Sequence, residues 1–207
     1  MERPHDYESI TTLDISFKSL SVLPLWVSKC KKLEKLNCSN NHIRYLDNLP
    51  TGLKELNCAS NNLTQLNNLP STLIQLKCFN NKIIKIDNLP PTLKQLYCSI
   101  NIIKQLDYLP KRLEILHCSD NNITQLNILP LTLKELVCEY NEITQLNNLP
   151  PELKELYCGY NQITQLNNLP QTLKILHCYN NKITQLNNLP QTIEELECNY
   201  NYNQNKL

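Results

Sequence analysis

The chain has 207 residues, with 20 basic and 19 acidic side chains and a formal net charge of +1. A surface this evenly charged does not attract nucleic acid or an anionic membrane, so the composition argues against both as partners. The first nine residues hold no apolar stretch, and no segment is apolar enough to cross a membrane, so we expect neither a secretory signal nor an anchor. A reducing, cytoplasmic location is the resulting expectation.

Residues 1–32 are expected to form an N-terminal cap. Within them, residues 13–17 alternate apolar and polar side chains, which predicts a short strand, and the Leu-Pro pair at residues 23–24 predicts a turn. The spacing from Leu13 to the next equivalent leucine, Leu36, is 23 residues, whereas later units are 20 residues long. Terminal units of repeat proteins differ from internal ones because they cover the end of the core.

Over residues 33–203 the chain repeats a unit of 20 residues, and a Leu-Pro pair closes each unit. A fixed period of this length indicates a solenoid, in which one structural unit is copied along an axis. In the copy at residues 53–70, Leu56 and Cys58 alternate with polar residues and predict a short strand with both side chains inward. Proline fixes φ and removes an N–H, so the return leg of each unit is predicted to be extended rather than helical.

An asparagine follows the predicted strand at the same position in nine consecutive units. Its side chain carries both a donor and an acceptor, so a buried copy can satisfy backbone groups of its own turn and of the next one. We therefore predict a structural role for this column. Its members are Asn41, Asn61, Asn81, Asn101, Asn121, Asn141, Asn161 and Asn181, with Asn201 in the ninth unit.

The unit L-x-x-L-x-C-x-x-N-x-I-x-x-L-x-x-L-P-x-x resembles the leucine-rich repeat, and the likeness extends over residues 10–203. The short unit that ends in Leu-Pro is similar to the repeats of bacterial effector proteins, and it also resembles repeat proteins of giant DNA viruses and amoebae. The resemblance implies an α/β-type solenoid of short parallel strands with an extended, helix-poor convex side. It departs from the usual unit in one respect, because cysteine replaces the third leucine of the strand.

Nine of the ten cysteines form a column, two residues after the strand leucine of each unit. Adjacent strands lie about 4.8 Å apart, whereas a disulfide needs its Cβ atoms about 3.8 Å apart, so we expect free thiols that pack as small apolar groups. Cys30 lies outside the column. The adjacent Lys29, Lys31 and Lys32 could lower its pKa and make it reactive, but the preferred interpretation is that Cys30 packs behind the first unit.

The sequence offers no catalytic or metal-binding pattern. With two glycines it has no phosphate-binding glycine loop, and it has neither CxxC nor histidine at ligand spacing. His117 and His177 occupy equivalent positions three units apart, about 14 Å by strand spacing, which is too far to share a metal. We therefore predict no enzyme activity, no metal and no other cofactor.

Variable residues stand at the outward strand positions, while the scaffold positions are nearly constant. Tyrosine and histidine are enriched there, and exposed aromatic side chains on one face mark binding sites. We predict that this face binds a protein, a host protein if the chain is viral; the alternative is that the tyrosines follow codon bias and only cover the sheet. The candidate partner-binding residues are Phe79, Tyr97, His117, Tyr140, Tyr157, Tyr160, His177, Tyr179 and Tyr200.

The C-terminal end shows no second cap. Soon after Asn201 the chain passes into a polar tail at residues 204–207. An uncovered last strand leaves a row of backbone groups free to pair with another chain. The alternative function is therefore a structural or self-associating protein that stacks through its C-terminal edge.

Overall fold

The computed structural model describes residues 6–202 and shows a solenoid built on one sheet of ten parallel strands. Each strand pairs with the strand of the next unit, so the order in the sheet is the order in the chain. Within the described range a single helical segment, a 3-10 helix at Leu25–Lys29, lies between the first two strands. The predicted solenoid with an extended, helix-poor convex side is therefore confirmed. Residues 1–5 of the expected cap and the polar tail at 204–207 lie outside the described residues.

Each strand has three residues, and its middle residue is a leucine that faces the core. The strands are β1 (Thr12–Asp14), β2 (Lys35–Asn37), β3 (Glu55–Asn57), β4 (Gln75–Lys77), β5 (Gln95–Tyr97), β6 (Ile115–His117), β7 (Glu135–Val137), β8 (Glu155–Tyr157), β9 (Ile175–His177) and β10 (Glu195–Glu197). From residue 6 to residue 202, no helix has the length and apolar character needed to span a membrane.

The core is a stack of nearly identical layers. In the layer of β6, the strand residue Leu116, the column residue Cys118 and Ile123 on the return leg are all fully buried. The register places Leu116 beside Leu96 and Leu136, so each leucine packs against its own copies. Burying an aliphatic side chain of this size contributes about 2 kcal/mol. Because both faces of a layer leave water only when it is stacked, the layers stabilise one another.

Each unit bends through a left-handed residue three positions after the end of its strand. The second residue after each column cysteine has φ between 51° and 58°, even where it is Ile100 or Tyr140. A second left-handed residue precedes the Leu-Pro pair wherever that residue is asparagine, as at Asn148, but φ is not positive where Tyr108 or Ile128 replaces it. Asparagine adopts positive φ more readily than bulky residues do. The residue type therefore determines whether φ is positive at the second bend, whereas at the first bend the surrounding fold enforces positive φ for any residue.

The asparagine that recurs in each unit makes several hydrogen bonds through its side chain. Asn121 donates through Nδ2 to the carbonyls of Cys98, Cys118 and Ser119, each at 3.1 Å, and its Oδ1 accepts from the Ile103 N–H at 2.9 Å. Cys98 and Ile103 belong to the preceding unit. The prediction that the side chain bonds to the next unit was therefore wrong in direction, because the side chain turns back toward the N-terminal neighbour, while the backbone N–H of Asn121 donates to the Tyr140 carbonyl of the next unit.

All ten cysteines are free, and nine of them are buried. Burial raises the pKa of Cys98 to about 12, as expected for a thiol in an apolar layer. Cys30 is also fully buried, and its Sγ donates to the Trp26 carbonyl at 3.6 Å. Burial raises the pKa of Cys30 as well, so the structure favours the packed position over the reactive, lysine-activated one.

The two ends of the solenoid differ. At the N-terminal end, Val27 of the 3-10 helix is fully buried and Trp26 packs partly buried against the core. At the other end, Leu196 of β10 is 40% exposed, whereas the equivalent Leu176 is 0% exposed. Among the described strands, β10 has a neighbour only on its β9 side. Among the described residues, Leu196 and the outer backbone groups of β10 therefore have no further strand beside them.

Candidate functional site

Three outward positions in each unit form what we call the strand face: the first and third residues of the strand, and the residue after the column cysteine or its counterpart Ile15. From β1 to β6 these positions hold two acidic and two basic residues. From β7 to β10 they hold five acidic residues and neither lysine nor arginine. The five carboxylates belong to Glu135, Glu139, Glu155, Glu195 and Glu197. One half of the face is therefore negative, although the chain as a whole is almost neutral.

Lysines neutralise glutamates elsewhere on the surface. Lys35 pairs with Glu55 between β2 and β3 at 2.8 Å. Where the chain enters the strands, Glu114 pairs with Lys94 at 3.0 Å and with Lys134 at 2.8 Å. Within the part of the chain that the structure describes, none of the five carboxylates from β7 to β10 has a lysine or arginine at ion-pair distance.

A tyrosine, a histidine and a glutamate from three consecutive strands form the first triad, which consists of Tyr97, His117 and Glu135. The Tyr97 and His117 rings meet edge to face with their centroids 4.8 Å apart. His117 Nε2 lies 2.5 Å from Glu135 Oε1. The ammonium group of Lys77, which pairs with Tyr97 across β4 and β5, lies over the Tyr97 ring at 5.5 Å from its centroid.

The same arrangement recurs three units later in the second triad, which consists of Tyr157, His177 and Glu195. The Tyr157 and His177 rings are again 4.8 Å apart and edge to face, and His177 Nε2 lies 2.7 Å from Glu195 Oε1. The Tyr157 hydroxyl donates to Glu155 at 3.2 Å. The residue that pairs with Tyr157 on the preceding strand is Val137, so the second triad has an apolar neighbour where the first has Lys77.

Three tyrosines beside the second triad form a cluster, in which Tyr179 lies on the strand face and Tyr140 and Tyr160 lie in the left-handed bends that border it. Tyr140 and Tyr160 stack with their ring centroids 4.2 Å apart, and Tyr179 meets Tyr160 edge to face at 5.4 Å. The Tyr179 hydroxyl donates to Glu139 at 2.7 Å. Edge-to-face and stacked contacts of this kind hold rings in fixed orientations. The cluster is therefore a preformed surface rather than a set of independent side chains.

The carboxylates make this half of the face electrostatically negative. Burial and the nearby charge of Glu155 raise the pKa of Tyr157 to about 12. The hydrogen bond to Glu139, together with burial, raises the pKa of Tyr179. In both tyrosines the neighbouring negative charge opposes formation of the phenolate. The same field favours a bound cation.

Seven of the nine predicted binding residues make ring contacts, in two separate groups: Tyr97 with His117, and the other five at the second triad and the tyrosine cluster. Phe79 and Tyr200 have no ring partner among the described residues. Tyr140, Tyr160 and Tyr200 were expected on the sheet itself but lie in the left-handed bend after it, because each strand ends before the cysteine.

Sequence reasoning missed three of the five carboxylates of this face. Glu135, Glu155 and Glu195 begin their strands, two residues before the variable positions from which the binding residues were predicted, whereas Glu139 and Glu197 stand at such positions. Side chains two residues apart on a strand point to the same side. The alternation of the strand therefore contained the signal that these glutamates lie beside the aromatic residues.

His177, Glu195 and Glu197 have ligand atoms that all lie within 4.8 Å of one another. His177 Nε2 contacts Glu195 at 2.7 Å, while its Nδ1 faces Glu197 at 3.8 Å. A histidine offers a metal only one ring nitrogen, whereas this ring lies between two carboxylates. The two ring nitrogens of His177 therefore face different carboxylates.

Comparison with known proteins adds three findings. A family profile described as Leucine Rich repeats (2 copies) matches residues 151–191. No curated protein matches the chain in sequence. Several solved structures match, and the functional domain of InlJ from Listeria monocytogenes, described as including a cysteine ladder, is 33% identical with a TM-score of 0.83. That match covers 94% of this chain and 45% of the InlJ structure.

Two further structural matches come from bacteria. YopM from Yersinia enterocolitica is 28% identical with a TM-score of 0.63, over 81% of this chain and 46% of YopM. The leucine-rich repeat domain of a Shigella effector is 24% identical with a TM-score of 0.71, over 95% of this chain and 84% of that domain. The chain thus spans less than half the length of the InlJ and YopM structures that it matches.

Proposed function

Because the chain is a leucine-rich repeat protein built of 20-residue repeats, we propose that it is a non-enzymatic module that binds a protein partner on its strand face. The leucine-rich repeat fold and its bacterial effector neighbours support a role in protein interaction. A thiol column without disulfides suits a reducing compartment, so the cytoplasm remains the proposed location.

The tyrosine cluster beside the second triad is the strongest support for a binding site on this face. Tyr140 is 47% exposed and Tyr160 is 42% exposed, although the two rings stack on each other. Rigid aromatic rings with one open face are typical of the anchors that dominate binding energy in protein interfaces. Tyrosines that only covered the sheet would need neither mutual stacking nor the hydrogen bond from Tyr179 to Glu139.

A triple variant tests the proposal. The changes Tyr157→Ala, Tyr160→Ala and Tyr179→Ala remove the rings but leave the buried layers intact, so we expect normal folding by circular dichroism. Affinity capture from a cell lysate should then lose the proteins that the parent retains, because truncating an aromatic anchor costs about 2 kcal/mol or more.

The matched control removes exposed tyrosines outside the strand face. Tyr45 and Tyr108 lie on the return legs and are 53% and 83% exposed. A variant with Tyr45→Ala and Tyr108→Ala should capture the same proteins as the parent. Equal capture by the triple variant and the parent would contradict binding on the strand face.

The open C-terminal edge supports a second candidate, self-association. The exposed Leu196 and the side of β10 that has no neighbouring strand among the described residues would stack against a second copy of the chain. This function predicts a concentration-dependent dimer in sedimentation velocity, which Leu196→Lys should abolish. A parent protein that stays monomeric at all concentrations would exclude it.

A further inference from the structure

Among the described residues, no lysine or arginine pairs with the carboxylates of the negative half of the strand face, whereas lysines pair with glutamates elsewhere on the molecule. The five carboxylates of this half contact tyrosine and histidine side chains, as Glu155 contacts Tyr157 and Glu195 contacts His177. None of these contacts is made by a lysine or arginine, the side chains whose positive charge is permanent at neutral pH. Five carboxylates on four neighbouring strands repel one another when no positive charge lies among them, and a bound cation would reduce that repulsion.

The molecule itself shows how a cation fits beside such a triad. At the first triad, Lys77 reaches across from the preceding strand and its ammonium group lies over the Tyr97 ring, 5.5 Å from the centroid. A cation over an aromatic face is attracted by the ring quadrupole. At the first triad, a lysine of the chain itself therefore occupies the cation position over the tyrosine ring.

The second triad has the same rings and the same histidine–glutamate contact but no such lysine. Val137 pairs with Tyr157 in the register that Lys77 has with Tyr97. At the same time the second triad has more carboxylates, because Glu155 bonds to Tyr157 and Glu197 faces His177. The triad without a lysine of the chain is therefore the one with more carboxylates.

We propose that the second triad receives a lysine or arginine side chain of the protein partner, seated over Tyr157 between Glu155 and Glu195 as Lys77 is seated over Tyr97. This inference rests on the proposed function, and it defines the partner as a protein that presents a cationic segment. The adjoining tyrosine cluster, with Glu139 beside it, extends the same aromatic and acidic surface for the residues that flank the cation.

A reciprocal pair of substitutions tests the proposal. Val137→Lys gives the second triad an internal cation and should block an external one, whereas Lys77→Val removes the internal cation and should open the first triad. The probe is a capped Gly-Arg-Gly peptide, with Gly-citrulline-Gly as its neutral counterpart. Binding is followed through the ring resonances of ¹³C-labelled tyrosine at low ionic strength, with a chelator present to exclude any metal at His177.

The parent should show saturable shifts at Tyr157 with the arginine peptide and not with the citrulline peptide. Val137→Lys should weaken that response about tenfold or more, and Lys77→Val should add a response at Tyr97. The inference is overturned if Tyr157 does not respond, if both peptides act equally, or if Val137→Lys binds as well as the parent. Should Val137→Lys fail to fold, Glu155→Gln combined with Glu195→Gln must show the same loss.

Failure of this inference can be told apart from failure of the proposed function. If protein capture depends on Tyr157, Tyr160 and Tyr179 but is the same for Val137→Lys and for the parent, the face binds protein by another chemistry and only the cation is wrong. If capture is unaffected by either set of substitutions, both proposals are wrong.

Discussion

Tyr179 lies so closely over the backbone of Gly159 that a Cβ added to the glycine would stand 2.8 Å from Cζ of the ring. Gly159 does not have a positive φ, so its backbone would accept another residue. The glycine is required instead because a side chain at this position would collide with the Tyr179 ring. It allows Tyr179 to lie flat enough to reach Glu139 and to meet Tyr160 edge to face.

Gly159→Ala should therefore displace Tyr179 without unfolding the chain. Loss of the hydrogen bond to Glu139 should lower the pKa of Tyr179 toward its ordinary value of 10.0. Ultraviolet titration should then show one more tyrosine that ionises near this pH than in the parent. The control is Gly52→Ala, where the nearest atom to an added Cβ is 3.7 Å away, an ordinary contact. An unchanged titration of the Gly159 variant would contradict the role given to this glycine.

The asparagine column is predicted to hold successive units together. Asn121→Ala removes the bonds to Cys98, Cys118 and Ser119 and leaves the buried Ile103 N–H without its acceptor. Unpaired buried groups cost about 1–3 kcal/mol each, so we expect a loss of about 3 kcal/mol in the free energy of unfolding.

Denaturant unfolding measures this loss as a lower midpoint. Asn122 offers a control of the same residue type one position later, because its side chain is exposed. Asn122→Ala should leave the midpoint within experimental error of the parent. Equal midpoints for the Asn121 and Asn122 variants would show that the column does not stabilise the solenoid.

The thiol column should be inert in the native protein. Burial raises the pKa of Cys98 to about 12 from 9.0, so at pH 8 the thiol is neutral as well as inaccessible. A disulfide reagent should modify only the half-buried Cys198 rapidly, and all ten cysteines after unfolding. Rapid native labelling of Cys98 or Cys138 would contradict the buried column.

The same shift gives a direction for the pH dependence of stability. The folded-state pKa of Cys98 lies above the unfolded value of 9.0, so folding favours the protonated thiol. Its contribution is fully present below pH 9 and is lost as the pH rises toward about 12. The unfolding midpoint should therefore fall over this alkaline range.

Much of the fold follows from the repeat, because a leucine and a cysteine two residues apart must share one side of a strand, and a Leu-Pro pair prevents a helical return leg. The contacts between units do not follow so directly. The sequence does not indicate that Asn121 turns toward the preceding unit, since either neighbour offers backbone carbonyls. Nor does it show that Tyr140 occupies a left-handed bend, a conformation that tyrosine adopts here only because the surrounding layers impose it.

The candidate site was predicted in part. The variable outward positions indicated Tyr157 and Tyr179, but the partners of their hydroxyls, Glu155 and Glu139, emerge only from the geometry. A net charge of +1 concealed the local excess of carboxylates, because the lysines that balance it lie on other parts of the surface. The charge of the strand face therefore has to be counted separately, because the net charge of the chain does not show its excess of carboxylates.

The most direct test of binding at the second triad is photo-crosslinking from two positions. A benzophenone side chain in place of Val137 would stand on the strand face, and one in place of Ile128, which is 74% exposed, would stand on a return leg. After irradiation in a cell lysate, the probe at 137 should crosslink a distinct protein whose attached peptide contains lysine or arginine, and the probe at 128 should not. Equal crosslinking from both positions, or products made only of two copies of this chain, would contradict a partner-binding strand face.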